Sequence, residues 1–170
     1  MAGDGKAEIL LQPSQALPKM FPTATSFEKE DINLTPEDIL RLRSQVENGD
    51  SENFKEQYTC HIVIRQQAII GYALEDVEQG KWGPIHFICA IRPDGQVQEV
   101  SVLSYSENRG RPVAQKRFLK QFTGKSAKDP LRLRKDIDGV TGATISSRAM
   151  STGVKKLLLI FEDWQLSHKK

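Results

Sequence analysis

The sequence predicts an α+β fold, in which an antiparallel sheet of about four to five strands packs against helices in a single two-layer domain. Three observations support this prediction. Strand-like runs separated by short turns occupy residues 58–65, 68–74, 85–91 and 96–105. Helix-like segments precede and follow these runs instead of alternating with them. The G-x-G-x-x-G fingerprint of a parallel, dinucleotide-binding sheet is absent.

The N-terminal third predicts short elements around one well-marked helix. Residues 1–13 indicate a mobile leader, residues 14–20 a short helix, and residues 27–34 an extended edge segment. Thr35 is a good helix cap, with Pro36 at the first helical position and Asp38 three residues after the cap. We expect this helix to run to about residue 47 and to end at Asn48-Gly49.

Two hairpins are predicted in the central part of the chain. In residues 58–65 the polarity alternates and places Cys60, Ile62 and Ile64 on one face of a strand. The next strand follows a turn at residues 66–67. The second hairpin turns at the Pro-Asp-Gly sequence of residues 93–95.

Two further helices are predicted in the C-terminal part. Residues 112–122 form the first, with Val113, Phe118 and Phe122 roughly on one side. The second runs from Ile145 to about residue 164 and has one apolar stripe that faces the core. The stripe contains Ile145, Ala149, Val154, Leu157, Leu158 and Phe161.

The composition, with 38% hydrophobic and 27% charged residues, indicates a soluble globular protein. No run approaches the ~18 apolar residues of a membrane helix, and the N-terminus lacks the apolar core of a signal peptide. Without a C-x-x-C motif or clustered histidines, no metal site is predicted. Cys60 and Cys89 are either two buried thiols or a cross-strand disulfide, and both readings stay open.

The most informative segment is residues 138–144, Asp-Gly-Val-Thr-Gly-Ala-Thr, directly before the last helix. Backbone N–H groups at a helix start favour an anion, and Gly142 and Ala143 leave room for a bulky group to reach the Thr144 hydroxyl. Ser and Thr before a helix are also ordinary caps. These residues alone therefore allow either a phosphate site or a plain helix cap.

The 138–144 segment resembles the D-x-x-[S/T]-G-A-[S/T] flavinylation motif of the FMN-binding domain family. That family includes subunits of the sodium-pumping NADH:quinone oxidoreductase and Rnf complexes. Asp138 matches the acidic start of the motif, Thr141, Gly142 and Ala143 its small core, and Thr144 its acceptor residue. The resemblance extends over about residues 58–164. It implies that Thr144 carries FMN through a phosphoester bond and that the other four residues belong to the cofactor site.

Partners and location are also implied by the resemblance. A flavin transferase that uses FAD and Mg²⁺ makes the bond, and other redox proteins exchange electrons with the flavin. The protein is then an electron carrier without turnover of its own, so no catalytic residue is predicted. We expect it to work outside the cytoplasm, with a signal or membrane anchor removed from this chain. Residues 1–57 are then a leader and helical segment, and residues 58–170 the FMN-binding domain, packed as one globular unit.

The basic residues are concentrated between Arg109 and Lys135, where ten Lys or Arg side chains accompany a single acid, Asp129. This segment is either a solvated helix face or a surface near the flavin phosphate or an acidic redox partner. Nucleic-acid binding is not predicted, because interleaved aromatic residues and a recognised motif are both absent.

Two alternatives to the electron carrier remain. In the first, the chain is an FMN domain that supplies electrons to a reductase. In the second, it is a non-flavin binding or structural module whose Thr-Gly-Ala-Thr is only a helix cap. Trp82, Tyr105 and Phe118 are candidates for stacking on a flavin, although each also fits an ordinary core or surface position. His86 is either close to the flavin or a half-exposed strand histidine. Glu107 and Gly110 match a loop that is common in the family.

Overall fold

A computed structural model describes residues 8–46, 53–106 and 112–169 of the chain. The elements in chain order are β1 (Glu8–Ile9), α1 (Pro13–Met20), β2 (Ser26–Asn33), α2 (Pro36–Arg43), β3 (Gln57–Arg65), β4 (Ala68–Gln79), β5 (Pro84–Ile91), β6 (Val97–Tyr105), α3 (Lys116–Leu119) and α4 (Thr144–His168). Two 3-10 turns, Pro112–Ala114 and Lys120–Phe122, flank α3.

The described strands form one antiparallel sheet in the order β1-β6-β5-β4-β3-β2. This confirms the predicted α+β class with an antiparallel sheet. The sheet has six strands instead of four or five, because β2 pairs with β3 along one edge and the two-residue β1 pairs with β6 along the other. The predicted edge segment is thus confirmed as β2, and the predicted leader contributes β1.

Each face of the sheet has its own core, because successive side chains of a strand point to opposite faces. Leu74 of β4 lies in the larger core beneath α4, whereas its neighbour Ala73 lies in a smaller core beneath α1. The predicted layer of sheet and C-terminal helix is therefore present, and α1 additionally covers part of the second face. The predicted boundary between residues 57 and 58 stays a prediction, although β2 and β3 pair across it.

The predicted turns and the predicted cap of α2 are confirmed. Gln66 and Gln67 both have positive φ, 49° and 70°, as expected for a tight two-residue hairpin turn. Thr35 Oγ1 accepts a hydrogen bond from the Asp38 N–H at 3.1 Å, and Asp38 Oδ2 accepts one from the Thr35 N–H at 2.9 Å. Helix α2 ends at Arg43, earlier than predicted, and the predicted stop at Asn48-Gly49 lies outside the described residues.

The single helix predicted over residues 112–122 is wrong. The backbone of Gln115 is extended and separates a 3-10 turn from α3. In one continuous helix, Val113 and Phe118 would lie about 140° apart around the axis, since each residue turns it by ~100°. The break lets both side chains enter the same core, where Phe118 also packs edge-to-face on Phe122 at 5.5 Å.

Cys60 and Cys89 are free thiols, which excludes the cross-strand disulfide. Both residues lie opposite Leu74, on β3 and β5 respectively, so the whole of β4 separates them. Two strand spacings amount to ~9–10 Å, beyond the reach of a disulfide. Burial raises the pKa of each thiol to about 12.

Candidate functional site

Thr144 is the first residue of α4, the longest described helix with 25 residues, and its side chain is exposed. The N-cap position belongs to Ala143, which has no side-chain oxygen. The Thr144 hydroxyl makes no hydrogen bond to a described residue, and neither does that of Thr141. The structure therefore contradicts the interpretation that Thr-Gly-Ala-Thr is only a helix cap.

Two buried or partly buried polar side chains hold the backbone of the 138–144 segment. The Gln121 carboxamide accepts from the Asp138 N–H at 2.7 Å and donates to the Asp138 carbonyl at 2.9 Å. Ser147 Oγ accepts from the Val140 N–H at 3.0 Å and donates to the Ala143 carbonyl at 2.7 Å. These four bonds fix the loop on both sides of Thr141 and leave the side chains of Asp138 and Thr141 exposed.

Gly142 has a φ of +80°, a conformation that residues with a side chain rarely adopt. A Cβ placed on Gly142 would meet no atom within 4 Å. The glycine therefore serves two purposes in this loop. It permits the turn into α4, and it leaves open space two residues before Thr144.

Two cavities flank the 138–144 segment. The cavity next to Thr144, here called the Thr144 cavity, has a volume of about 280 Å³. The second, here called the Asp138 cavity, measures about 440 Å³. The Thr144 cavity lies between residues 130–134 and the first three turns of α4. The Asp138 cavity lies between residues 138–141 and the α3 region, where Arg117, Phe118 and Gln121 line it.

The Thr144 cavity is cationic. It is lined by Arg132, Arg134, Arg148 and Lys155, and no carboxylate lines it among the described residues. The N-terminus of α4 adds a partial positive charge from its unpaired N–H groups. The site accordingly favours an anionic ligand on electrostatic grounds.

A compact loop, residues 130–137, presents two of these arginines. Leu131 and Arg134 both have positive φ, 50° and 65°, and the loop is held by the Asp136 carboxylate. Asp136 accepts from the Arg132 N–H at 2.8 Å and from the Leu131 N–H at 3.1 Å. Burial by itself raises the pKa of Asp136, but these backbone donors and Lys125 outweigh it and hold the pKa below its ordinary value.

The tip of the β4–β5 hairpin also reaches the start of α4. The Lys81 N–H donates to Ser146 Oγ at 3.3 Å, and the next residue, Trp82, is 54% exposed. Of the three stacking candidates, only Trp82 is thus accessible, since Tyr105 and Phe118 are buried in the core. Ile145, which was predicted to be buried, is 52% exposed. Nine residues separate it from Val154, which places the two about 180° apart on α4.

Sequence reasoning missed several residues that build this site. Gln121 and Ser147 hold the loop through hydrogen bonds that the sequence pattern did not reveal. Arg148 and Ser151 follow Thr144 at spacings of four and seven residues, which places them on one face of α4. That spacing was the available signal for the Thr144 cavity. Glu107 and Gly110, predicted to form a nearby loop, lie outside the described residues.

A separate polar cluster lies on the sheet. Glu75 bridges two histidines, with Oε1 at 2.9 Å from His61 Nε2 and Oε2 at 3.0 Å from His86 Nε2. These hydrogen bonds lower the pKa of Glu75 to about 2. His86 is partly exposed in β5, which agrees with the predicted half-exposed strand histidine. It contacts Glu75 instead of the 138–144 segment.

A second buried ionic cluster lies beneath the middle of α4. Lys156 Nζ is 2.6 Å from Asp76 Oδ2 and 2.5 Å from Glu78 Oε1, and all three residues are at least 96% buried. Lys55 contacts the other oxygen of Asp76 at 3.0 Å. Burial lowers the pKa of Lys156, but the charges of Asp76 and Glu78 outweigh it and raise the pKa above its ordinary value.

Fold and site together define a small α+β domain with an accessible hydroxyl and a cationic cavity at the start of one helix. Such a domain is suited to carry a phosphate-bearing cofactor. Comparison with known families identifies it more closely. Residues 80–159 match the model of the FMN-binding domain family. The match includes the whole 138–144 segment and most of α4. The matched family is that of FMN-binding domains.

Two curated relatives belong to redox complexes. The chain is 36% identical over 95 residues to the G subunit of the proton-translocating ferredoxin:NAD(+) oxidoreductase complex of Clostridium ljungdahlii, covering 51% of each protein. It is 25% identical over 155 residues to the G subunit of the Na(+)-translocating ferredoxin:NAD(+) oxidoreductase complex of Acetobacterium woodii, covering 85% of this chain and 72% of the relative. The chain thus spans about half the length of the Clostridium protein.

One solved structure is also similar. The C subunit of the Na(+)-translocating NADH-quinone reductase of Parabacteroides distasonis aligns with 86% of this chain and 84% of its own, at 16% identity and a TM-score of 0.49. Among the described residues, no helix combines the length and apolar character that crossing a membrane requires.

Proposed function

We propose that the protein is a flavoprotein electron carrier whose FMN is attached to Thr144 through a phosphoester bond. The observation that carries the proposal is the state of Thr144. Thr144 is exposed at the start of a long helix, its hydroxyl bonds no described residue, and a Cβ added at Gly142 would meet no atom within 4 Å. A neutral hydroxyl in this position can accept a phosphoryl group without loss of a structural hydrogen bond.

The residues present fit FMN. Ala143 is buried and Gly142 is open, so the loop offers no bulky side chain against the attachment point. Arg134 and Arg148 supply positive charge for the phosphate, and Trp82 is the accessible aromatic side chain near the start of α4. Bound FMN supplies the redox chemistry, and the chain positions it and sets the charge around it. Asp138, with its backbone held by Gln121, orients the loop towards the enzyme that attaches the flavin.

The cellular setting is also a proposal. Both curated relatives are G subunits of ion-translocating ferredoxin:NAD(+) oxidoreductase complexes, which supports a role in a membrane-associated redox chain. We infer that this chain receives FMN from a flavin transferase that uses FAD and Mg²⁺, and exchanges electrons with redox partner proteins outside the cytoplasm. Supply of electrons to a reductase is the second candidate, and the FMN-binding domain itself is compatible with it.

The test of the attachment site is peptide mapping after co-expression with a flavin transferase. We expect one FMN adduct on the peptide that contains Thr144, complete loss of the adduct in Thr144→Ala, and at least partial retention in Thr141→Ala. Thr141 is the matched control because it is an exposed threonine of the same loop. An adduct on Ser146 or Ser147 would contradict the assignment, and the structure argues against both since they are 2% and 0% exposed.

A further inference from the structure

The Thr144 cavity has a feature that attachment of a flavin to Thr144 does not by itself require. Ser151 lines the cavity, is 2% exposed, and its Oγ has no hydrogen-bond partner among the residues that the structure describes. Buried hydroxyls are normally bonded, and a serine inside a helix usually finds a backbone carbonyl. An unpaired buried hydroxyl at the wall of a cavity points to a ligand that accepts a hydrogen bond.

Two arginines beside Ser151 are also without a partner. Arg134 and Arg148 line the same cavity and form no ion pair within the described parts of the chain. The other two cations are engaged: Lys155 Nζ donates to the Ala127 and Asp129 carbonyls, the latter at 2.7 Å, and Arg132 also has a partner. Two guanidinium groups without an ion pair to a described residue, a serine hydroxyl and the helix start therefore line one cavity.

The loop that presents Arg134 is held in place independently of any ligand. Asp136 accepts from two backbone N–H groups of the loop, and the Arg134 N–H donates to the Ile137 carbonyl at 3.0 Å. A positive φ at a residue with a long side chain is unfavourable and persists only where the surroundings fix it. These hydrogen bonds hold the strained Arg134 in a loop that lines the same cavity as Thr144.

We propose that the Thr144 cavity is a phosphate-binding site that works without a covalent bond, with Arg134, Arg148 and Ser151 as its ligand-binding residues. Guanidinium groups and hydroxyls match the oxygens of a phosphoryl group, and a helix N-terminus adds to their attraction. The proposal deepens the proposed function, because the phosphate of an attached flavin and the phosphate of a free nucleotide share this chemistry. Its first test needs no flavin at all.

The test is a titration of the unmodified chain with inorganic phosphate at constant ionic strength, followed by amide NMR shifts. We expect the shifts to concentrate at residues 144–151 and around Arg134. Arg148→Gln and Arg134→Gln should each weaken phosphate binding about tenfold, the loss of one charge-assisted hydrogen bond. Ser151→Ala should weaken it about threefold, as expected for a neutral hydrogen bond. Arg117→Gln, an exposed arginine in the Asp138 cavity, is the matched control and should change nothing.

Two outcomes overturn the proposal: shifts that do not include the start of α4, or an Arg117→Gln variant that loses as much affinity as Arg148→Gln. A second titration on the flavinylated protein distinguishes the sources of the phosphate. If flavinylation abolishes binding of inorganic phosphate, the attached flavin fills the cavity. If binding is unchanged and still depends on Arg148, the cavity binds a free phosphate ligand. Failure of attachment at Thr144 leaves the first titration unaffected, so the two proposals fail separately.

Discussion

The start and the middle of α4 both present basic side chains, in opposite surroundings. Arg148, near the start, is exposed and has no acidic partner in the described parts of the chain, while Lys156, in the middle, is 1% exposed and contacts Asp76 and Glu78. A buried charge must be paired, because leaving water is costly. An exposed charge at a cavity can remain unpaired at little cost. The contrast separates the two roles: Lys156 holds the helix to the sheet, and Arg148 is available to a ligand.

Replacement of Lys156 gives the largest expected effect on stability. Lys156→Met leaves Glu78 buried without its cation, whereas Asp76 keeps its contact with Lys55. We expect a loss of about 3 kcal/mol in the free energy of unfolding, the lower end for breaking a buried ion pair. Urea denaturation measures it. Arg148→Gln is the control at the exposed end of the helix and should change stability by about 0.5 kcal/mol or less.

A rescue variant makes the Lys156 prediction stricter. If the loss comes from unpaired charge, then Lys156→Met combined with Glu78→Gln should recover part of the stability, because no buried carboxylate is left alone. A Lys156→Met protein as stable as the wild type would show that this cluster does not hold α4 to the sheet.

A side chain at Gly142 should separate backbone strain from access to Thr144. Gly142 and Gly124 have nearly equal φ, +80° and +83°, and neither has an atom within 4 Å of an added Cβ. We expect Gly142→Val and Gly124→Val each to lose about 1–3 kcal/mol from strain. Only Gly142→Val should lower the yield of flavinylated protein, as measured by intact mass. Equal yields in the two variants would mean that Gly142 serves only the turn.

Acid should weaken the Glu75 cluster while leaving the start of α4 intact. The pKa of Glu75 is lowered from 4.5 to about 2 in the folded protein, so its stabilising effect is complete above about pH 4.5. It is lost progressively as the pH falls from there towards 2. We expect the pH dependence of the urea midpoint to be shallower in Glu75→Gln over this window. Glu99→Gln, at an exposed position of β6, should retain the wild-type slope.

The exposed basic residues at α3 should affect the rate of electron exchange and leave the stability of the fold unchanged. This is the smallest expected effect on the fold. Lys116, Arg117 and Lys120 are exposed; Arg117 lines the Asp138 cavity, whereas Lys116 and Lys120 line a separate cavity against β6. We expect their joint replacement by Gln to slow electron exchange with an acidic partner by roughly tenfold at low salt. The difference should vanish at high salt, because screening acts over ~8–10 Å near physiological ionic strength.

Position can be distinguished from total charge with a second triple variant. Replacement of Lys19, Lys29 and Arg65 by Gln removes three exposed bases from α1, β2 and β3. Equal slowing in both variants would show that net charge matters and that the α3 surface has no special role. Stopped-flow kinetics at several salt concentrations measures both effects, and thermal melting of each variant checks stability.

Local sequence determined the parts of the fold that depend on neighbouring residues. The Thr35 cap, the turns at residues 66–67 and 93–95, and the alternation in residues 58–65 specify backbone conformations over a few positions. The composition of the 138–144 segment and its place before an apolar helix also made it a candidate site from local sequence. In both cases the residues that form the sequence pattern and the backbone that it predicts lie within about one turn or one strand.

Tertiary structure decided what depends on residues far apart in the chain. The break at Gln115 follows from the need to bury Val113 and Phe118 together, and the separation of Cys60 from Cys89 follows from the strand order. The Thr144 cavity lies between α4 and a loop that Asp136 holds through the Leu131 and Arg132 N–H groups, and Lys156 contacts Glu78 across 78 positions. Periodicity shows that a residue is buried or exposed, but the sheet order and the packing of α4 determine which distant residue it meets.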